Sequence, residues 1–360
     1  MYCGMIVLLE PVCSVWVHEE VNAGFLQLVI ENSVDDVLYI GERGHLSCIK
    51  KIFYNSRIRF VEITKTIGMG EADHYINTVY YFRLLNDVIV RCNPRKLFIL
   101  CGYRPCILAS ELAALIYKKI DIYFVLHGMV DEKKGRTQSY MKLLRFGRLC
   151  RKLCFVTYSP YCTGKYWGIS ESKLVFLHHP YVHRNQMVSE AKEKDKSGKV
   201  IIGIIGACAN DKAEQLISAV NRNDQDCRYE FWVASRFGKR FRHLKNIKIL
   251  DCEFERKEME ALLKEMDFLL LPYGHDEYAL SASGVLWDAM ANGLPCLMLD
   301  SSYFKYYMRY EIGYQADSMQ ELCKVICKII RQKQEMRKIF FVNMEEIERE
   351  NIETIKYLLR

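Results

Sequence analysis

With 360 residues, half of them hydrophobic and 26% charged, the chain can supply two ordinary cores, which excludes a disordered or fibrous protein. A formal net charge of +7 is mildly basic. It falls short of a dedicated nucleic-acid binder but suits attraction to anionic lipid or to a phosphorylated substrate. No apolar run reaches the roughly 18–20 residues of a membrane span. The N-terminus lacks a basic stretch, apolar core and cleavage site in signal-peptide order. The 15 cysteines cannot all pair, and they read as reduced thiols in a cytoplasmic setting.

Taken in chain order, apolar runs predict strands at Met5–Leu9, Val37–Ile40, Phe60–Ile63, Leu97–Cys101, Ile122–Leu126, Leu153–Thr157 and Leu174–Phe176. A helix is predicted over Pro105–Ile120, where Ala109, Leu112, Ala113 and Ile116 share one face. The charged stretch EAKEKDKSGK then reads as a linker. The strand pattern restarts with VIIGIIGA from Val200, YEFWVA, IKIL, FLLLP and PCLML, each with a helix-like segment nearby. Such alternation predicts an α/β chain with two parallel, Rossmann-like sheets. The expected division is a first domain over 1–188, a linker over 189–199, a second domain over 200–335 and a C-terminal helix over 336–360. No internal repeat or low-complexity segment interrupts this plan.

Cys150/Cys154 and Cys323/Cys327 sit four apart in helical patterns but lack partners at zinc-site spacing. They read as small buried hydrophobes, and no metal site is expected. Adjacent histidines His178 and His179, in a strand, would point to opposite faces and could not easily share a metal.

The most informative segment is LLLPYGHDEYALSASGVLWDAMANGLPCLMLD, from Leu269 to Asp300. It reads as strand, polar loop, a helix opening at Ser283-Gly284, and strand. Ser281, Ser283 and Gly284 suit a helix start, whose free N–H groups and dipole favour an anion. Gly293 and Pro295 supply the usual stop. A loop outside the carboxyl end of a strand is where open α/β sheets bind ligands.

Pro272-Tyr273, Ser283-Gly284-Val285-Leu286, Asp288-Ala289-Met290-Ala291 and Gly293-Leu294-Pro295 resemble the nucleotide-sugar segment of the group 1 (family 4-like) GT-B glycosyltransferases of bacterial surface polysaccharide synthesis. That family reads P-S/Y, an acidic loop, then G-x-x-x-E-A-M-A-x-G-x-P-V. Here Asp288 stands at the second glutamate and Cys296 at the valine. The resemblance covers Val200 to Asp300 well and the first domain in layout only. It implies a GT-B fold, two Rossmann-like domains facing a cleft, with C-terminal helices crossing back to the first domain. It implies a nucleotide-diphosphate sugar as donor substrate, no cofactor and no metal.

Carried over residue by residue, the resemblance puts the donor diphosphate at the N–H groups of Ser283, Gly284 and Val285 and at the turn after Gly206, with Lys212 at the family's lysine. Ala207 occupies the arginine position, so Arg236, Lys239 or Arg240 would have to replace that cation. Asp288 would hold the ribose. The sugar-facing acid falls on Leu280, so Asp276 or Glu277, three or four residues early, would take its role. His127, closing the strand IYFVLHG, is expected to face sugar or acceptor. Ser159 matches the family's serine, and His178-His179-Pro180 replaces its Pro-Asn-Gly turn. Gly24 is the sole glycine near the family's Gly-Gly pair after strand one, and His18, Glu19 and Glu20 could serve an acceptor hydroxyl. For each charged residue the alternative is an ordinary solvated side chain.

Two basic stretches, Lys133-Lys134-Gly135-Arg136 and Lys142 to Lys152, could lie on an anionic inner-leaflet surface through 133–152; the alternative is a solvated helix face. The sequence therefore points to a cytoplasmic, peripheral glycosyltransferase that moves a sugar to a saccharide or lipid-linked acceptor, with retention implied by the family, and no nucleic-acid partner. Two readings stay open beside it: a catalytically degenerate GT-B subunit that activates a partner, and a UDP-sugar 2-epimerase-like enzyme. A nicotinamide enzyme is disfavoured, because no G-x-G-x-x-G links a strand to a helix.

Overall fold

The computed structural model describes residues 5–15, 17–64, 77–102, 104–127, 152–164, 170–182, 199–223, 229–250, 256–274, 282–329 and 333–360. The chain divides into two units. The first comprises Met1–His183, Leu280–Ala282 and Arg349–Arg360, and the second Arg184–Ala279 and Ser283–Glu348.

The first unit holds a seven-stranded sheet. Its strands are β1 (Ile6–Leu9), β2 (Val37–Gly41), β3 (Ile58–Glu62), β4 (Lys96–Ile99), β5 (Asp121–Leu126), β6 (Leu153–Thr157) and β7 (Leu174–Phe176). They lie in the order β3-β2-β1-β4-β5-β6-β7, every pair parallel. Among the described residues, four helices follow strands in this unit: α1 (Glu19–Glu31), α2 (Arg43–Ile52), α3 (Asn77–Cys92) and α4 (Arg104–Ile116). Successive side chains of a strand face opposite ways, so the buried residues split into two cores. Val7, Leu9, Leu38, Ile40, Leu97, Ile99 and Phe124 face α3 and α4. Ile6, Leu8, Val37, Tyr39, Phe98, Val125 and Val156 face the residues of α1 and α2. Covering both faces is why the central strands β1, β2 and β4 to β6 read as largely apolar runs rather than alternating ones, unlike the exposed end strand β3.

The second unit holds six strands: β8 (Val200–Ile205), β9 (Tyr229–Ala234), β10 (Ile247–Leu250), β11 (Phe268–Leu271), β12 (Cys296–Leu299) and β13 (Gly313–Ala316). Their order is β10-β9-β8-β11-β12-β13, again all parallel. Its helices are α5 (Asp211–Asn223), α6 (Arg256–Glu265), α7 (Gly284–Ala291), α8 (Ser302–Tyr307) and α9 (Met319–Lys328). Helix α5 buries Ala213, Leu216, Ile217 and Val220, one face at helical spacing. Tyr229 donates its hydroxyl to Ile326 O at 2.7 Å, tying β9 to α9.

A long helix, α10 (Lys333–Leu359), ends the chain, and its residues from Arg349 onward belong to the first unit. There Ile355, Leu358 and Leu359 complete one core. The buried Lys96 Nζ donates to Leu358 O at 2.8 Å and faces Asp121 at 3.6 Å. Burial lowers its pKa, partly offset by Asp121. Removing that ammonium from water is tolerable because a carbonyl and a carboxylate both face it.

Several sequence expectations change, among them the strand expected over Phe60–Ile63, which runs Ile58–Glu62. The predicted helix to Ile120 stops at Ile116, because Lys118 and Lys119 leave the apolar pattern and Ile120 turns inward ahead of β5. Strand β13 was absent from the pattern, since GYQA at the sheet edge carries no apolar run. Gly24 lies inside α1 rather than in a ligand loop. A Cβ there would sit 2.5 Å from Tyr181 N, so this glycine serves close packing of helix against backbone. Among the described residues no helix is long and apolar enough to cross a membrane.

Candidate functional site

Both sheets reverse their strand order beside their first strand, at β1/β4 and at β8/β11. At such a switch point the crevice outside the carboxyl ends of the strands is the expected ligand position. Each unit carries a distinct set of residues there.

In the second unit, β8 runs into a 3-10 turn over Gly206–Cys208. Gly206 has φ of +57°, a left-handed conformation that glycine adopts without cost. Its carbonyl accepts the Ser235 hydroxyl from the end of β9 at 2.7 Å. Cys208 Sγ lies 3.0 Å from the Tyr273 hydroxyl, joining this turn to the carboxyl end of β11. Asn210 Oδ1 accepts from Ala213 N at 3.1 Å and so caps α5, leaving Lys212 half-buried in the first turn.

Helix α7 follows β11 in sequence. Its N-cap is the buried Ser283, whose hydroxyl accepts from Leu286 N at 3.3 Å. The N–H groups of Gly284 and Val285 have no acceptor within the helix, by helix geometry. A Cβ on Gly284 would meet nothing within 4 Å, so there is open space before this helix start. Asp288 lies half-buried one turn on. Gly293, at φ of +62°, closes the helix as its sequence position predicts.

The proposed substitutes for the missing arginine separate. Arg240 is tied to Asp211, and to Glu214 at 2.7 and 3.0 Å. Arg236 and Lys239 are exposed, with the Arg236 guanidinium 4.8 Å over the Phe237 ring. Asp276 and Glu277 lie outside the described residues, as does 128–151 of the basic stretch. At its edge Lys152 pairs with Asp121 at 2.6 Å.

The first unit gathers titratable groups instead. Glu10, directly after β1, is wholly buried. Its carboxylate accepts from Val12 N at 3.0 Å, Cys13 N at 2.9 Å and Asn22 Nδ2 at 2.9 Å. Burial raises its pKa, and those donors hold it back. Asn22 Nδ2 and the Tyr39 hydroxyl both reach His45 Nε2, at 3.2 and 3.1 Å. His45 Nδ1 is 3.0 Å from Val15 O. A carbonyl can only accept, so Nδ1 carries the proton and Nε2 is the acceptor. Burial lowers the His45 pKa to about 4.

Around the same edge, the His18 ring stacks on His127 with centroids 4.0 Å apart and planes 11° apart. His127 meets Tyr158 at 5.2 Å and His179 at 5.4 Å. His127, immediately after β5, is therefore at the carboxyl edge as expected. Burial, then the neighbouring His18 and His179, push its pKa well below the usual range, so it is neutral. Its buried Nδ1 has no hydrogen-bond partner among the described residues. His178 and His179 lie beyond β7 rather than in a strand, and they still diverge. His178 Nε2 meets Glu350 at 2.8 Å, while His179 joins the His127 group.

Cys13 Sγ lies 3.4 Å from His18 Nδ1, and Cys101, just beyond β4, completes a cluster. A hydrogen bond shared between the two thiols lowers the Cys101 pKa to about 7 and raises that of Cys13. Burial alone would lower the His18 pKa, but Cys101 and Glu10 outweigh it and raise it. Sequence reasoning reached His18 and His127 but missed Glu10, Cys13 and Cys101. Among 15 cysteines no spacing singles out the pair.

No protein-family profile matches the sequence, and no curated protein does. Solved structures do. A glycosyltransferase from Rickettsia africae aligns over 100% of both chains with a TM-score of 0.70 at 13% identity. The Anabaena protein HepE in complex with UDP-glucose aligns over 99% of this chain and 98% of its own, with a TM-score of 0.64 at 10% identity. A UDP-GlcNAc 2-epimerase from Neisseria meningitidis bound to UDP-GlcNAc covers 94% of each chain, with a TM-score of 0.60 at 12% identity. At such identities the likeness speaks for architecture alone: the chain has the α/β fold of GT-B type, built on two parallel-stranded sheets.

Proposed function

We propose that the protein is a glycosyltransferase that moves a sugar from a nucleoside-diphosphate donor to a saccharide or lipid-linked acceptor. The observation that carries this reading is the carboxyl edge of the second sheet. There a left-handed Gly206 turn and a Ser283-capped helix start with open space at Gly284 suit a bound diphosphate. Two structures of the same fold, from Anabaena and Neisseria, were solved with UDP-sugars, which supports the same donor class here.

In the proposed reaction the bond from the anomeric carbon to the phosphate oxygen breaks, and a bond from that carbon to the acceptor oxygen forms. The acceptor proton passes to the departing diphosphate. Lys212 and the N–H groups of Gly284 and Val285 stabilise the charge that grows on the diphosphate, with the exposed Arg236 or Lys239 as the added cation. Fixed donors aimed at developing charge are worth the most in catalysis. Asp288 holds the ribose, neutral His127 faces the sugar or acceptor, and Asp276 or Glu277 approaches the sugar. Retention of configuration follows the family resemblance. The basic segment 133–152 would keep the enzyme beside a lipid-linked acceptor on an anionic surface.

Calorimetric titration with UDP tests the donor site. Saturable binding is expected, weakened at least tenfold in Lys212→Ala and in Asp288→Ala; binding unchanged in both would remove the site assignment. The buried histidines of the first unit favour a second reading, a UDP-sugar 2-epimerase, whose proton work needs such groups. Conversion of UDP-GlcNAc to its 2-epimer without any acceptor would replace the transferase by that reading. Failure to bind any nucleoside diphosphate would favour a non-catalytic subunit.

A further inference from the structure

We propose that Cys13, His18 and Cys101 form a three-ligand site for a zinc-class metal ion at the carboxyl edge of the first unit's sheet. The fold brings the ligands together through the parallel register of β1 and β4, which pairs Leu9 with Ile99. Leu100 N donates to Leu9 O at 2.9 Å, extending that pairing to the strand ends, so Cys101 emerges beside the loop that carries Cys13 and His18.

The distances fit. Zinc–sulfur and zinc–nitrogen bonds of about 2.3 and 2.1 Å place tetrahedral ligand atoms roughly 3.5–3.8 Å apart. Cys13 Sγ and His18 Nδ1 are 3.4 Å apart, and all three donor atoms lie within 4.8 Å of one another. Two sulfurs and one imidazole select a borderline or soft ion over magnesium or calcium, which take oxygen. Three protein ligands leave the fourth position for water or a substrate oxygen, the pattern of catalytic rather than structural zinc.

The surroundings fit as well. Both cysteines are buried while His18 is only half-buried, so an ion can enter from the His18 side. Glu10 grips the backbone N–H of Cys13 at 2.9 Å and fixes the loop that presents the first sulfur. The His18 ring is held against His127, whose buried Nδ1 lacks a hydrogen-bond partner among the described residues. Both thiols bind as thiolates and release their protons to solvent; their two charges then neutralise the divalent ion, so burial adds no net charge.

This site stands apart from the nucleotide-binding reading, since none of its ligands is assigned to the diphosphate. The full chain, reduced and stripped by chelator under argon, is titrated with cobalt(II). One equivalent is expected to give a thiolate-to-cobalt charge-transfer band and the intense visible bands of a tetrahedral site, both abolished by zinc. Cys13→Ser, Cys101→Ser and His18→Ala should each lose the spectrum, while Cys48→Ser keeps it. X-ray absorption on the zinc-loaded wild-type chain should show two sulfurs and two nitrogen or oxygen neighbours, and it decides the matter even where a variant fails to fold. A spectrum unchanged in Cys13→Ser and Cys101→Ser would overturn the proposal. So would a zinc shell without two sulfurs, or a reduced wild-type chain that binds no cobalt.

Discussion

The two carboxyl edges share a strand order and differ in what they are made of. The edge of the second sheet is built from backbone and hydroxyls: the Gly206 turn, Ser235 on its carbonyl and the Ser283 cap. The edge of the first sheet is built from titratable side chains, the half-buried His18 and the buried Glu10, Cys13, His45, Cys101 and His127, within one neighbourhood. Backbone donors hold charge without titrating and depend little on pH. Buried imidazoles, thiols and a carboxylate store desolvation cost, and they respond to protons and soft ions. The same topology thus presents a rim of backbone donors and hydroxyls in one unit and a rim of titratable side chains in the other.

The largest test of this contrast removes an acceptor from each edge. Glu10→Ala leaves Val12 N, Cys13 N and the Asn22 amide without their acceptor in a buried place. At roughly 1–3 kcal/mol per orphaned group, partly relieved by relaxation, it should cost about 3–5 kcal/mol in urea denaturation. Ser235→Ala on the other edge deletes one neutral hydroxyl and should cost about 1–2 kcal/mol. Equal losses would mean that the first edge is no more strained by burial than the second.

Acid provides the next test. The His45 pKa falls to about 4 when folded, through burial, against an ordinary value near 6.5. Between those values the unfolded chain binds the proton and the folded chain does not, so stability drops as pH falls from about 6.5 to 4. Linkage puts the contribution on the order of 3 kcal/mol. Urea midpoints should decline across that window, and decline less in His45→Gln, which removes the titration. A parallel pH profile in the variant would place the acid sensitivity elsewhere.

The smallest effects fall on the second edge. Ser283→Ala removes the N-cap of α7 and should cost about 1 kcal/mol. Arg240→Ala should cost under about 1 kcal/mol, because its pairs with Asp211 and Glu214 are partly exposed. Thermal unfolding ranks the two, and a larger loss for Arg240→Ala would show that this ion pair organises the Gly206 turn.

Much of this was legible in the chain. Strands β6, β7, β9 and β10 fall where the apolar runs place them: β6 and β9 are mostly buried and need hydrophobic residues, while the end strands β7 and β10 keep apolar runs although they are only partly covered. The Ser283 start and Gly293 stop of α7 were legible too, since capping is a local matter of hydroxyl and backbone. Strand β13 was not, because an edge strand is held by backbone pairing to β12 rather than by apolar content. Nor was the fate of Arg240, whose carboxylate partners lie one turn apart on a helix nearly thirty residues earlier.

The sequence by itself therefore determined the alternation of strands and helices, the restart that yields a second sheet, and the capped helix after Tyr273. Those features depend on periodicity and on neighbours a few residues away. Only the tertiary structure decided that Gly24 packs against Tyr181 and that Cys13, His18 and Cys101 share one site. Close approach and ligand geometry are set by strands far apart in the chain that a parallel register brings side by side, and no local pattern records that distance.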